Sequence, residues 1–245
     1  IMNPKWKDEP IFSAQKLSEA NTPHLIGTLL QPLLDGYENW INQSFDPAQF
    51  PHHISLKSQA TEALGRMVRG VELLKHNSDA RKAFNFANKA LEVNSQWTND
   101  GNSLNWRKFQ LSFALSVLES TTNRNSPDRE HLDLLWVATG GGKTEAYLLV
   151  TAYILAYRRL GQHTDWHGVS VLTRYTLRLL TIQQFRRALG IVTAMEWLRN
   201  KNELNDQQLN LGVQPFSIGI WVGSGVTPNK LSADENGRTM LDLFM

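Results

Sequence analysis

Residues 106–245 read as the first half of an α/β domain with a parallel sheet, and residues 1–105 as an all-helical region that precedes it. Three observations predict this. Apolar residues recur at helical spacing through most of the first region. After residue 130, short apolar runs alternate with long helical segments, the pattern of parallel strands joined by crossover helices. A glycine-rich turn connects the first of those runs to the first of those helices.

From Pro23 to Asn42, residues Leu25, Leu29, Leu30, Leu33, Leu34, Tyr37 and Ile41 keep helical spacing, while Pro32 and Gly36 predict a kink or a break. A second helix is marked by the stripe Leu56, Ala60, Ala63, Leu64, Met67, Val68, Val71 and Leu74. Ser78 or Asp79 can cap a third, with Phe84, Ala87 and Leu91 on its apolar side. Glu92 to Asn105 is polar, contains Asn99-Asp100-Gly101 and reads as a loop. Arg107 to Leu118 is helical again, and Ser120 to Glu130 is a polar linker. Leu132 to Ala138 then looks like a buried strand, Lys143 to Leu160 like a helix and Val169 to Thr173 like a second strand. Thr176 to Asn200 and Phe216 to Val222 supply a further helix and a third strand.

Composition narrows the function classes. With 41% hydrophobic and 20% charged residues among 245, the chain is neither disordered nor collagen-like. Cysteine is absent, which removes disulfides, thiolate zinc sites and a catalytic thiol. The longest mainly apolar run, Ala146 to Tyr157, falls short of the ~20 residues that span a bilayer. Ile1 to Trp6 has no secretory apolar core. A soluble cytoplasmic protein with no membrane partner is expected. The chain opens on Ile1 and stops at Met245 without tail-like composition, and so reads as a segment of something longer. Net charge is only +2, but seven arginines face two acids, Asp165 and Glu196, between Arg158 and Arg199. Such a stretch is a solvated helix face unless a neighbouring motif makes it a polyanion surface.

The motif that carries chemistry is Val137-Ala138-Thr139-Gly140-Gly141-Gly142-Lys143-Thr144. A triphosphate needs several donors converging on its oxygens, and a tight glycine turn exposes backbone N–H groups where a Cβ would intrude. The helix starting near Lys143 aims its positive dipole end at the same anion. Thr139, Gly140, Gly141, Gly142, Lys143 and Thr144 are therefore the expected ATP-binding residues, with Lys143 reaching the β/γ-phosphates and the Thr144 hydroxyl ligating Mg²⁺. Lys143 and Thr144 are also the expected catalytic pair. The plain alternative is a strand-to-helix turn with an incidental Lys-Thr.

Val137 stands where the general P-loop pattern G-x-x-x-x-G-K-[ST] has its first glycine, and in this the segment resembles superfamily 2 helicases. Upstream, Trp106-Arg107-Lys108-Phe109-Gln110 is similar to their R-P-x-Q element, with Lys108 in place of the proline. The resemblance implies that Arg107 packs on adenine and Gln110 hydrogen-bonds its edge, for which one amide donor and one acceptor suffice. Taken alone, Gln110 reads as a helix surface residue. Tyr175 to Gln183 resembles motif Ia, with Tyr175 in place of a proline, and makes Arg174, Thr176 and Arg178 the expected contacts to a nucleic-acid backbone. The other reading there is an ordinary arginine-rich amphipathic helix. Ile218 to Asn229 is similar to the segment before motif Ib, where Gly223 and Gly225 would let a phosphodiester approach.

Phe84–Ala90, Trp106–Leu111, Asp133–Tyr147, Arg174–Phe185 and Trp221–Gly223 together resemble the large helicase-like subunit of DISARM anti-phage systems, and less closely the large helicases of Druantia defence systems. The likeness runs over roughly residues 60 to 230. It implies a RecA-like domain, a bacterial cytoplasmic DNA-translocating ATPase and a partner subunit. No D-E-x-H strand end is present. Asp234-Glu235 lies in loop-like sequence with Gly237 at the histidine position, so the motor is expected to be truncated before motif II and this segment alone inactive. Two other readings stay open: a P-loop switch without translocation, and a helicase-like platform that binds nucleotide or DNA without unwinding. His163 with His167, and His52 with His53, read as surface pairs, and the eight tryptophans mainly as core or boundary residues.

Overall fold

The computed structural model describes residues 12–45, 52–138, 140–160, 168–175, 178–201 and 209–222. Helices dominate them: α1 (Ala14–Ser18), α2 (Pro23–Ser44), α3 (His53–His76), α4 (Ser78–Thr98), α5 (Lys108–Thr122), α6 (Lys143–Leu160) and α7 (Arg178–Lys201). A 3-10 turn covers Pro127–Glu130. Strands β1 (Phe12–Ser13) and β2 (Asn105–Trp106) form a two-stranded antiparallel ladder, pairing Phe12 with Trp106.

Three helix starts are capped by a side chain just before them. The Ser13 and Thr22 hydroxyls accept the Lys16 and Leu25 amides, at 3.4 and 3.2 Å. Asn77 Oδ1, rather than Ser78 or Asp79, caps α4 by accepting from Asp79 N at 3.0 Å and Ala80 N at 2.9 Å. Helix α2 runs through both Pro32 and Gly36 as a single element. The expected loop from Glu92 begins later, because α4 continues to Thr98. Glu92 and Ser95 face inward instead, with the Glu92 carboxylate accepting from Leu104 N at 2.8 Å and Gln96 Nε2 at 2.9 Å. A buried acid satisfied by two donors anchors the connection that follows the helix.

Helix α4 packs against α1, α3, α6 and α7, while α5 lies between α3 and α6. Phe84, Phe86, Leu111, Leu115, Leu149, Tyr153 and Met195 are fully buried in one continuous core. Two glycines set the closest approaches. A Cβ on Gly70 of α3 would lie 2.1 Å from the Leu115 carbonyl oxygen of α5, and one on Gly190 of α7 would lie 2.5 Å from Asn94 Oδ1 of α4. Indole Nε1 of the buried Trp106 donates to Asn88 Oδ1 at 2.8 Å.

The expected RecA-like parallel sheet is not formed among the described residues. Among the described residues the β1–β2 ladder is the sole sheet, and 132–138, 169–175 and 216–222 pair with no strand. An apolar run becomes a strand only when a neighbour takes its backbone groups. Here helix side chains take several of them. Lys143 of α6 donates to the Val137 and Ala138 carbonyls, Arg158 of α6 donates to Val169 O, and Glu196 of α7 accepts from Phe216 N. The runs are also less buried than strands of a covered sheet, since Leu132 is 95% and Trp136 89% exposed. Of the described tryptophans, Trp106 is buried and Trp40 and Trp197 are half-buried, as core or boundary residues would be, whereas Trp97, Trp136 and Trp221 are exposed.

Glu196 ties α7 to the 209–222 segment. Hydrogen bonds from Arg199 hold its carboxyl at about 2, against burial that works the other way, and the Phe216 amide and Asn200 add to the effect. The folded value lies below the ordinary one of 4.5, so the stabilisation is complete above that pH and is lost as pH falls through about 2. Glu196→Gln is expected to lower stability at neutral pH and to flatten its decline below pH about 4.5. Urea unfolding across that range measures this, and superimposable acid limbs for the two proteins would contradict it.

Candidate nucleotide-binding site

The glycine turn lies at the surface, between the extended segment ending at Ala138 and the first residue of α6. Gly140 and Gly142 have φ of +79° and +88°, a region that residues bearing a Cβ enter at a cost. Gly141 N donates to Ala138 O at 3.0 Å and closes the bend. Lys143 and Thr144 open the 18-residue helix α6, half-buried, at its positive dipole end. The Lys143 ammonium folds back onto the carbonyls of Val137 at 2.5 Å and Ala138 at 3.0 Å.

A second element holds the turn. Arg107 Nη1 donates to Gly141 O at 2.8 Å, and Gln110 Nε2 donates to Gly142 O at 2.8 Å. Gln110 is itself locked, because its Oε1 accepts the Arg107 amide at 2.8 Å and so caps α5. These partners are 34 and 32 residues apart in sequence. The upstream Arg and Gln singled out from sequence are thus brought to the glycines, and Gln110 is buried rather than a helix surface residue. A Cβ on Gly142 would lie 2.8 Å from Gln110 Nε2, whereas one on Gly140 would meet nothing within 4 Å.

The approach to the turn is fixed from α3. Arg66 forms a bidentate pair with Asp133, at 2.5 and 3.0 Å. Asp128 receives Arg69 at 2.6 Å and lies 3.3 Å from Arg66 Nε. Hydrogen bonding from Arg69, with its charge and that of Arg66, holds the Asp128 carboxyl below the usual carboxylate range against the opposing effect of burial.

Glu145, two residues past the lysine, pairs through Oε1 with Arg187 of α7. Sequence reasoning missed this contact, since no local spacing joins residues 42 apart. Arg174 is exposed at the end of the 168–175 segment. Thr139, Thr176, Gly223, Gly225 and the Asp234-Glu235 pair lie outside the described residues, as do His163 and His167. Arg178 is the first residue of α7, and its side chain also lies outside them. No cluster of three or more metal-ligating side chains occurs among the described residues, and none of their helices is long and apolar enough to cross a membrane.

No family model matches the chain. Among curated proteins, DISARM protein DrmA of Bacillus paralicheniformis is 36% identical over 262 aligned positions. The chain resembles DrmA. The alignment takes in 94% of this chain, so the unaligned remainder is too short to hold either the helical region or the part that carries the glycine turn. The likeness to DrmA thus reaches beyond residues 60 to 230, into the opening helices. The chain spans 22% of the length of that DrmA.

The two outer glycines separate backbone strain from side-chain contact. Gly140→Ala should cost about 1–2 kcal/mol for its left-handed φ. Gly142→Ala should cost more, because the added methyl also displaces Gln110 and with it the α5 cap. Equal losses in urea unfolding would show that Gln110 does not support the turn.

Proposed function

We propose that this chain is the ATP-binding part of a helicase-like ATPase acting in DISARM-type anti-phage defence in the bacterial cytoplasm, beside a partner subunit and on DNA. The observation that carries the reading is the bend itself. Two left-handed glycines lead straight into the first turn of α6, which presents Lys143 and Thr144, and the bend sits at the surface. The likeness to DrmA supports the defence context.

The residues present fit ATP and Mg²⁺. The open space at Gly140 leaves room for an anion beside the backbone. The α6 N-terminus and the Lys143 ammonium supply positive charge, and the Thr144 hydroxyl would hold the metal. Mg²⁺, when bound, supplies charge neutralisation at the phosphate oxygens. Gln110 keeps the capacity to read adenine. One amide hydrogen goes to Gly142 O and one lone pair to the Arg107 amide, leaving one hydrogen and one lone pair, the complement of adenine N7 and its amino group. Arg107, exposed beside Gly141, would cover the base face. Arg174 would meet a nucleic-acid phosphate, with Thr176, Arg178, Gly223 and Gly225 along the same strand.

In the full-length protein, Lys143→Ala should abolish ATP binding and cut turnover by about a hundredfold or more. Arg174→Ala should leave ATP binding intact but weaken DNA binding and lower its salt slope by about one. Equilibrium binding of MgATP, and of a DNA duplex across a salt series, separates the two. Undiminished turnover by the Lys143 variant would overturn the site.

A further inference from the structure

We propose that Arg66 and Asp133 are positioning residues that set the register of the 132–138 segment and, through it, the affinity of the glycine turn for nucleotide, an inference that rests on the ATP-binding reading above. Side chains along the segment alternate. Asp133, Leu135 and Val137 are half-buried, while Leu132, Leu134, Trp136 and Ala138 are exposed. A ladder to a neighbouring strand ordinarily fixes such alternation, and a slip by one residue turns every side chain to the opposite face. Among the described residues this segment pairs with no strand, so its register falls to side chains. Asp133 supplies the anchor. Arg66 takes both of its carboxylate oxygens, at 2.5 and 3.0 Å, and the arginine side chain is itself largely buried. A planar two-bond fork fixes the orientation of a carboxylate as well as its position. Asp128, 3.3 Å from Arg66 Nε and also paired with Arg69, orients the fork in turn.

What the register controls lies four residues on. Val137 is on the same face as Asp133, and its Cγ1 is 2.7 Å from where a Cβ on Gly141 would lie, so the side chain rests against the middle glycine of the bend. The Val137 and Ala138 carbonyls receive the Lys143 ammonium, and Ala138 O also accepts from Gly141 N. A one-residue slip would withdraw Val137 from Gly141 and shift both carbonyls by about 3.3 Å along the chain. Lysine and bend would then lose the partners that place them. The clamp also shares its base with the second support of the turn. Arg66 and Gly70 are one turn apart on one face of α3, and Gly70 is where α3 meets the α5 backbone at Leu115. Arg107, the N-cap residue of α5, and Gln110 in its first turn donate to the Gly141 and Gly142 carbonyls. The segment before the bend and the donors beside it are thus mounted on one pair of packed helices. Sliding of the first past the second is the freedom that Arg66 removes.

The test is MgATP binding by the folded full-length protein, with urea unfolding measured alongside, in wild type, Arg66→Lys, Asp133→Asn and the double variant. Lysine keeps the charge but not the fork, and asparagine keeps the shape but not the charge. Each single variant should bind MgATP about tenfold more weakly, and the double variant no more weakly than either, because both substitutions remove the same interaction. A contact that only stabilises the fold would lower the urea midpoint and leave the MgATP affinity of the folded protein at the wild-type value. That result overturns the proposal. So does a double variant weakened by the product of the two single effects. If Asp133→Asn does not fold, Arg66→Lys decides on the same two readouts. Lys143→Ala checks the ATP site separately. Loss of MgATP binding there, with wild-type affinity in the Arg66 and Asp133 variants, removes the register claim and leaves the site standing, whereas wild-type binding by Lys143→Ala overturns the site itself.

Discussion

Two hydrogen bonds, from Arg107 to the Gly141 carbonyl and from Gln110 to the Gly142 carbonyl, hold the site in one shape. A run of three glycines has more backbone freedom to lose on folding than any other tripeptide, and an unsupported bend would sample many conformations. Each bond contributes only about 0.5–1.5 kcal/mol net, but the two act on adjacent residues and originate from one rigid source. The Gln110 side chain that donates to Gly142 also caps α5 through the Arg107 amide. Helix start and turn are therefore a single hydrogen-bonded unit, and neither can rearrange alone.

The helical region has a mechanical role that its sequence did not disclose. Arg66 and Arg69, one turn apart on α3, grip Asp133 and Asp128 and fix the segment entering the turn. Helix α3 is in turn pressed onto α5, with backbones close enough at Gly70 and Leu115 to exclude any side chain there. The turn is held from before and from beside by two helices that touch each other. The same glycine that permits that contact makes the spacing between the two supports nearly rigid.

Helices were legible because their signal is local. The stripe from Leu56 to Leu74 and the run from Lys143 to Leu160 each carry their periodicity within the element, and α3 and α6 match them closely. Errors arose where a distant partner decides the outcome. Glu92 looked like loop sequence because nothing nearby reveals that Leu104 N will satisfy it. Asn77 does not stand out as the cap, because Ser78 and Asp79 are equally good cap residues one and two positions on. The apolar runs at 132–138, 169–173 and 216–222 read as strands, yet strand pairing is never encoded in the run itself. Of the site, the glycine turn with Lys143 stands out as a motif and Arg107 and Gln110 as adenine contacts, whereas their hydrogen bonds to the Gly141 and Gly142 carbonyls and the Glu145–Arg187 pair join residues too far apart to be read from spacing.

Nucleotide affinity at such a turn is a difference, not a sum. In this structure two of the donors that a phosphate would use already have acceptors: Gly141 N serves Ala138 O, and Lys143 serves the Val137 and Ala138 carbonyls. Phosphate binding would exchange these neutral acceptors for charged oxygens, and bonds to ionised acceptors are roughly twice as strong. The net gain per bond is accordingly about as large as the bond surrendered. That arithmetic makes the site responsive to any nearby charge that is not itself exchanged. A carboxylate fixed two residues from the lysine is such a charge.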